Sequence, residues 1–145
     1  MPFKLKRASI DVALVCSDFS DSLRFYRDQL GFEQVMEIEI PARVAQDACL
    51  APRAFRQVRL RSGEALIKLM EIESPPVPRS HDFQAGIRWL TLIVDDVSGL
   101  YARLSERGVE FMSEPIRPPD AVFIVCAKAP DGLLIEFVQP FEEDV

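Results

Sequence analysis

The sequence contains little histidine and cysteine: one histidine and three cysteines among 145 residues, with no C-x-x-C spacing. Cys16, Cys49 and Cys126 form an odd and sparse set, unlike the even cysteine sets of disulfide frameworks. Cys16 and Cys126 lie in apolar strand patterns, which predicts buried thiols. The histidine, His81, lies in a proline-rich stretch, where we expect a surface residue rather than a ligand.

Basic runs and long apolar runs are also missing. The formal net charge is −6, and no Lys/Arg block continues beyond residues 4–7. Binding of a phosphate backbone needs a basic face, so we expect no nucleic acid as a partner. No apolar run reaches the ~18 residues of a membrane span, and the N-terminus lacks the apolar segment of a signal peptide. These features predict no membrane partner and a cytoplasmic location.

The chain does contain an internal repeat. Residues 11–18 and 89–96 each have the pattern of a strand followed by an acidic turn. A helix-like run follows each of them and ends at a glycine, Gly31 or Gly108. Repetition of this kind constrains the fold more than any single residue does.

The second halves of the repeats also match, because residues 66–69 and 134–137 form similar strands after turns. The chain therefore reads as two βαβββ modules, 8–73 and 86–140. A proline-rich linker, 74–85, joins them. The length, with 48% apolar and 28% charged residues, suits one globular domain of the α+β class over residues 1–145.

Hydrophobic periodicity places the individual elements. Strands are predicted at 10–16, 32–40, 55–61, 65–72, 87–94, 110–112, 122–127 and 133–139. Helices are predicted at 20–30 and 97–107, with Asp18 and Asp96 as their N-caps. The insertion 41–54 is expected to hold a short helix at 42–49 and to act as a lid or an interface element.

Alternation along the strands predicts which side chains share a face. The crossing helices need apolar residues beneath them, so Val12 and Leu14 are assigned to the covered face. The residues assigned to the open side, where we expect them to converge on one concave surface, are Asp11, Ala13, Lys68, Met70, Trp89, Thr91, Glu136 and Val138. Arg59 belongs to a run of alternating arginines, which is either a solvated sheet face or a site for a carboxylate or phosphate of a small ligand.

The motifs at 11–19, 22–32, 94–97, 104–111 and 130–138 resemble those of the vicinal oxygen chelate superfamily. This group includes glyoxalase I, extradiol dioxygenases and bleomycin resistance proteins. The resemblance covers residues 8 to 140. It implies that the paired modules form a curved, open, eight-stranded sheet around a cavity. Members of the superfamily pair modules within or between chains, and the sequence leaves both arrangements open; we expect a homodimer.

Metal-dependent members of that superfamily place His, Glu or Gln, His and Glu at four strand positions. The matching residues here are Asp11, Lys68, Trp89 and Glu136. A Lys ammonium has no lone pair to donate, and Trp89 offers no ligand atom. We therefore predict neither a metal nor another cofactor.

Lys68 and Trp89 each allow two interpretations. Lys68 either neutralises Glu136 or Asp11 in a charge-compensated network, or takes part in proton transfer with them. Trp89 either fills space left by a lost metal or stacks against a planar or cationic ligand.

Two main function classes follow. The first is a metal-independent enzyme that catalyses proton transfer on a small metabolite, of the isomerase, epimerase, lyase or cyclase type. Asp11 or Glu136 would be its base, Lys68 would stabilise an anion, and Trp89 would position the substrate. The second is a non-catalytic, bleomycin-resistance-like protein that sequesters a ligand. A metal-dependent lyase or dioxygenase is a third and poorer option.

Overall fold

The computed structural model describes residues 2–80 and 82–142, in two compact units divided between Pro76 and Val77. The elements of the first unit are β1 (Asp11–Val15), α1 (Phe19–Leu23), β2 (Glu33–Ile40), α2 (Ala42–Asp47), β3 (Phe55–Ser62) and β4 (Ala65–Ile72). Those of the second are β5 (Trp89–Ile93), α3 (Val97–Glu106), β6 (Phe123–Lys128) and β7 (Leu134–Gln139). No helix within these ranges is long and apolar enough to cross a membrane. The prediction for His81 concerns a residue outside them.

The first unit is a four-stranded sheet in the order β1-β4-β3-β2, in which only the β1–β4 pair is parallel. Helix α1 crosses over between β1 and β2 and packs against β4. Asp18 caps α1 as predicted, since its carboxylate accepts the backbone N–H of Asp21 at 3.0 Å. The covered face of the sheet is apolar and buried, with Leu14, Val58, Leu60, Ile67 and Leu69.

The predicted helix at 20–30 is not one uniform α-helix. After α1 the chain continues as a π-helical segment, Arg24–Gln29, in which the Leu30 N–H donates to the Phe25 carbonyl at 2.9 Å. The wider turn brings Phe25 and Tyr26 onto the buried side together. Gly31, at φ 89°, then ends the helix as predicted.

The insertion at 41–54 folds onto the open face of the first sheet. Ala45 of α2 is fully buried, in a cluster with Phe55, Met70 and Ile72. The Arg53 guanidinium donates to the backbone carbonyls of Glu73 and Ser74, at 2.8 and 3.0 Å. The inner side of α2 is therefore part of the core of the first unit.

The second unit is a three-stranded sheet in the order β5-β7-β6, with β5 and β7 parallel. Helix α3 packs against β6 and β7. Its N-cap is Asp96, as predicted, which accepts the Gly99 N–H at 3.0 Å. The side chains buried in this unit include Val97, Leu104, Val125, Ile135 and Phe137.

The strand predicted at 110–112 is reduced to isolated bridges, so the described ranges hold seven strands rather than eight. Phe111 pairs with Ala127, and Ile116 pairs with Ile124. Pro115 lies between the two bridges and interrupts the pairing, because proline has no N–H to donate to a sheet.

Candidate functional site

The open face of the first unit carries the predicted pair of Asp11 and Lys68. Lys68 Nζ lies 3.6 Å from Asp11 Oδ2, and the two side chains are 26% and 37% exposed. In the strand register Ala13 lies opposite Lys68, so all three predicted residues share this face. Asp11 is therefore an ion-pair partner of Lys68 within the first unit, and the alternative pairing with Glu136 stays a prediction.

The arginines of β3 divide between the two faces of the sheet. Arg56 lies on the covered side, bound to Glu37 at 2.6 Å and Glu71 at 2.9 Å. Arg59 is the register partner of Lys68 on the open face, where its Nε donates to Gln57 Oε1 at 2.7 Å. A ligand group near Lys68 would therefore also meet Arg59.

Two other predicted residues of the first unit have defined surroundings. Met70 is 6% exposed and packs in the α2 cluster, so it supports α2 more than it lines an open surface. Asp11 lines a cavity of about 260 Å³ near the β3–β4 turn. Its other lining residues are Arg7, Ser9, Arg61, Gly63, Glu64 and Leu66.

The open face of the second unit carries a chain of hydrogen bonds. Trp89 Nε1 donates to Thr91 Oγ1 at 3.0 Å, and Thr91 Oγ1 donates to Glu136 Oε1 at 2.8 Å. The indole N–H can only donate, so the Thr91 hydroxyl accepts it through a lone pair and gives its single proton to Glu136. The direction of both hydrogen bonds is therefore fixed. It leaves Glu136 as an oriented proton acceptor beside the indole of Trp89, which is 51% exposed. Val138 lies on the same face, opposite Ile93.

Cys126 is a neighbour of Glu136 that the sequence analysis did not assign to the site. It is the register partner of Glu136 in β6 and is partly exposed, so the prediction of a buried thiol is wrong for this residue. Burial, and then the Glu136 carboxylate, raise the pKa of the Cys126 thiol. Strand alternation in β6 could have revealed it, since a residue opposite Glu136 must share its face.

The four positions that match the metal ligands of the resembled superfamily do not suit a divalent metal. Asp11 is paired with an ammonium, and Trp89 presents an N–H donor. Within the ranges 2–80 and 82–142, no group of three His, Cys, Asp or Glu side chains is arranged to hold a metal ion. Convergence of the four side chains on one surface stays a prediction.

Asp131 lies in the β6–β7 turn, and its burial leads us to expect that the free energy of unfolding depends on pH. Asp131 is 6% exposed, and this burial raises the pKa of its carboxyl. Backbone hydrogen bonds, including one from Leu133, and the charge of Arg79 act in the opposite direction but are smaller. A carboxyl whose pKa is raised by folding contributes stability below its unfolded pKa, and loses it as the pH rises through the folded pKa. Asp131→Asn keeps an acceptor for Leu133, so we expect it to be more stable than the wild type at pH 7.

The check is chemical denaturation at pH 7 and near pH 3. The advantage of Asp131→Asn should shrink at the lower pH, where the wild-type carboxyl is protonated in both states. Asp120→Asn, at an exposed turn of the same unit, is the matched control. An advantage that is independent of pH would contradict the role of ionisation.

Comparison with known proteins gives a consistent result. The family model for the Glyoxalase/Bleomycin resistance protein/Dioxygenase superfamily matches residues 10–137. The uncharacterized protein YaeR of Escherichia coli (strain K12) is 27% identical over 128 residues, which cover 88% of this chain and 92% of YaeR.

Solved structures show the same fold. The crystal structure of SMU.1112c superposes with a TM-score of 0.73 at 28% identity, covering 94% of this chain and 100% of that one. TnmS3, an antibiotic binding protein from Streptomyces sp. CB03234, has a TM-score of 0.66 at 23% identity, covering 95% and 100%. The family match spans both units and contains Asp11, Lys68, Trp89 and Glu136. The chain therefore belongs to the glyoxalase/bleomycin resistance protein/dioxygenase superfamily.

Proposed function

We propose that this protein is a metal-independent enzyme that catalyses proton transfer on a small organic metabolite. The observation that supports this most directly is the oriented Glu136 carboxylate at the end of the Trp89–Thr91–Glu136 chain. A positioned carboxylate that already accepts one hydrogen bond keeps lone pairs for a substrate proton. The planar face of Trp89 beside it can hold the substrate by stacking.

Glu136 is a better candidate for the base than Asp11. Asp11 is already engaged by the Lys68 ammonium, 3.6 Å from its Oδ2, so a substrate would have to compete with this ion pair for the carboxylate. The Glu136 contact is instead with the neutral Thr91 hydroxyl. The role predicted for Lys68 from the sequence, stabilisation of an enolate-like anion, stays a prediction; within the first unit, the ion pair with Asp11 holds its ammonium in position.

The test is mass spectrometry of a host-cell metabolite extract incubated with a trace of purified protein. We expect one metabolite to be consumed far beyond the protein concentration and replaced by an isomer or a new mass. Lys68→Ala should abolish this turnover, because it removes the ammonium that stabilises the anion. Lys4→Ala, at an exposed position, is the control and should leave it unchanged. Equal turnover by Lys68→Ala and the wild type would remove Lys68 from the mechanism.

A second candidate function is ligand sequestration without turnover. It is favoured by the net charge of −6, by the exposed indole of Trp89, and by the fold shared with an antibiotic binding protein. Charge and an aromatic face together suit a cationic, planar ligand. The same experiment distinguishes this function, because a sequestered compound would be depleted one for one and released unchanged on denaturation.

The remaining expectations from the sequence belong to this proposal. They are a single domain over residues 1–145, a homodimer, a cytoplasmic location, and activity without a cofactor. A small-molecule ligand is the only partner that the proposed function requires.

A further inference from the structure

The second unit contains a small cavity in which the charged side chains of the wall are two arginines. Its volume is about 180 Å³, and it is lined by Arg79, Ser80, Arg88, Met112, Gly132 and Leu134. Among the residues that the structure describes, no carboxylate contributes to this lining. The chain has a net charge of −6, yet two guanidiniums line this cavity. The carboxylates beside it are engaged: Asp82 Oδ2 accepts the Ser80 hydroxyl at 3.2 Å, and Asp131 accepts the Leu133 N–H at 3.1 Å. The sequence analysis did not single out either arginine.

The position of Arg79 is fixed through its backbone. Its N–H donates to the Asp131 carbonyl at 2.9 Å, so the stretch preceding β5 is pinned to the β6–β7 turn. The turn accepts it closely because residue 132 is glycine. A Cβ at Gly132 would lie 2.6 Å from the Arg79 carbonyl oxygen. This wall of the cavity is therefore built by specific contacts and is not a chance approach of two loops.

Arg88 is positioned from the other side. One of its guanidinium nitrogens, Nη1, donates to the Asp82 carbonyl at 3.2 Å, and the guanidinium lies 5.4 Å from the centre of the Phe83 ring. Within the described ranges, neither arginine forms an ion pair with a carboxylate. A guanidinium has five N–H donors, so most of those in the cavity stay available to a ligand.

The cavity lies next to the face that carries the proposed base. Leu134, in its wall, is the register partner of Trp89, and Glu136 follows Leu134 by two residues on the same face of β7. A molecule with one group in the cavity can therefore extend along the strand toward Trp89 and Glu136.

We propose that this cavity binds the oxyanion group, a carboxylate or a phosphate, of the small molecule on which the protein acts. Arginine forks match both groups, and a charge-assisted contact of this kind also sets orientation. The assignment rests on the proposed function, which it deepens by naming anionic metabolites as the ligand class. It opposes the cationic ligand favoured by net charge alone, because contacts at a few ångströms outweigh the screened field of distant surface charges.

The test is a titration with inorganic phosphate and, separately, with acetate at low ionic strength, followed by amide chemical shifts. We expect saturable shifts confined to residues around the cavity. Arg88→Gln and Arg79→Gln should each weaken binding by about tenfold or more, the loss of one charge-assisted contact. Arg43→Gln removes an exposed guanidinium from α2 in the first unit and should leave the affinity unchanged.

The lower of the two Kd values, for phosphate or for acetate, indicates which oxyanion group the cavity prefers. Arg88→Lys provides a variant that keeps the charge and loses the fork, so a Kd between those of the wild type and Arg88→Gln supports recognition by geometry. Equal weakening by Arg43→Gln, or shifts scattered over the surface, would overturn the site and indicate screening by salt. Because the titration needs no turnover, its failure leaves the proposed proton transfer intact. Conversely, phosphate or acetate binding without any metabolite consumption would leave the cavity assignment standing while the enzyme proposal fell.

Discussion

Replacing Glu136 by glutamine is expected to lower turnover by about 10² to 10⁴-fold, the usual loss when a positioned general base is removed. Glutamine has the same shape, and its amide oxygen can still accept the Thr91 hydroxyl, whose distance to Glu136 Oε1 is 2.8 Å in the wild type. The change therefore removes the proton acceptor and preserves the packing around it. The measurement is kcat and KM on the compound found by metabolite profiling. We expect the loss in kcat, with KM changed little.

Thr91→Val tests how much the orientation of the Glu136 carboxylate contributes, apart from its role as a base. It removes the hydroxyl that joins Trp89 to Glu136 but keeps the carboxylate, so we expect a smaller loss, of about tenfold, the value of one hydrogen bond to a charged group. Glu106→Gln takes the same charge from the exposed surface of α3 and should have no effect. If Glu136→Gln raises KM at constant kcat, Glu136 binds the substrate and is not its base.

The course of the backbone was largely predictable from the sequence, because it depends on local patterns. Two acidic N-caps, Asp18 and Asp96, and the helix-ending Gly31 occur where the repeat placed them. Alternation also gave the correct faces in β1, since Leu14 is buried while Asp11 and Ala13 are exposed. These signals are short in range, and each has a steric or hydrogen-bonding cause within a few residues.

The features that were missed depend on contacts between distant segments. The apolar pattern of residues 20–30 fits an α-helix as well as a π-helical turn, so the sequence did not show that Phe25 and Tyr26 would both be buried. The burial of Met70 under α2 depends on where a 14-residue insertion, 41–54, lies in space. The hydrogen bond between Thr91 and Glu136 joins residues 45 positions apart. The repeat predicted that both would lie on one face, but the direction of the hydroxyl is a property of the folded site.

Gly132→Ala is expected to destabilise the protein by about 2–4 kcal/mol, the sum of a strained backbone and an overpacked contact. Gly132 has φ +90°, and its Cβ would lie 2.6 Å from the Arg79 carbonyl oxygen. That oxygen belongs to a residue pinned by its own N–H to Asp131, so it cannot move away without breaking a hydrogen bond. The free energy of unfolding from chemical denaturation gives the measurement.

Gly31→Ala is the matched control, because Gly31 has nearly the same φ, +89°, and open space where the Cβ would lie. It should lose only the backbone part, about 1–2 kcal/mol. The difference between the two variants is the cost of displacing Arg79, and it connects stability to binding. If Arg79 moves, Gly132→Ala must also weaken phosphate binding in the cavity lined by Arg79 and Arg88, whereas Gly31→Ala must not. Equal destabilisation by the two variants, with unchanged phosphate binding, would mean that the wall formed by Arg79 is not held in place by the β6–β7 turn.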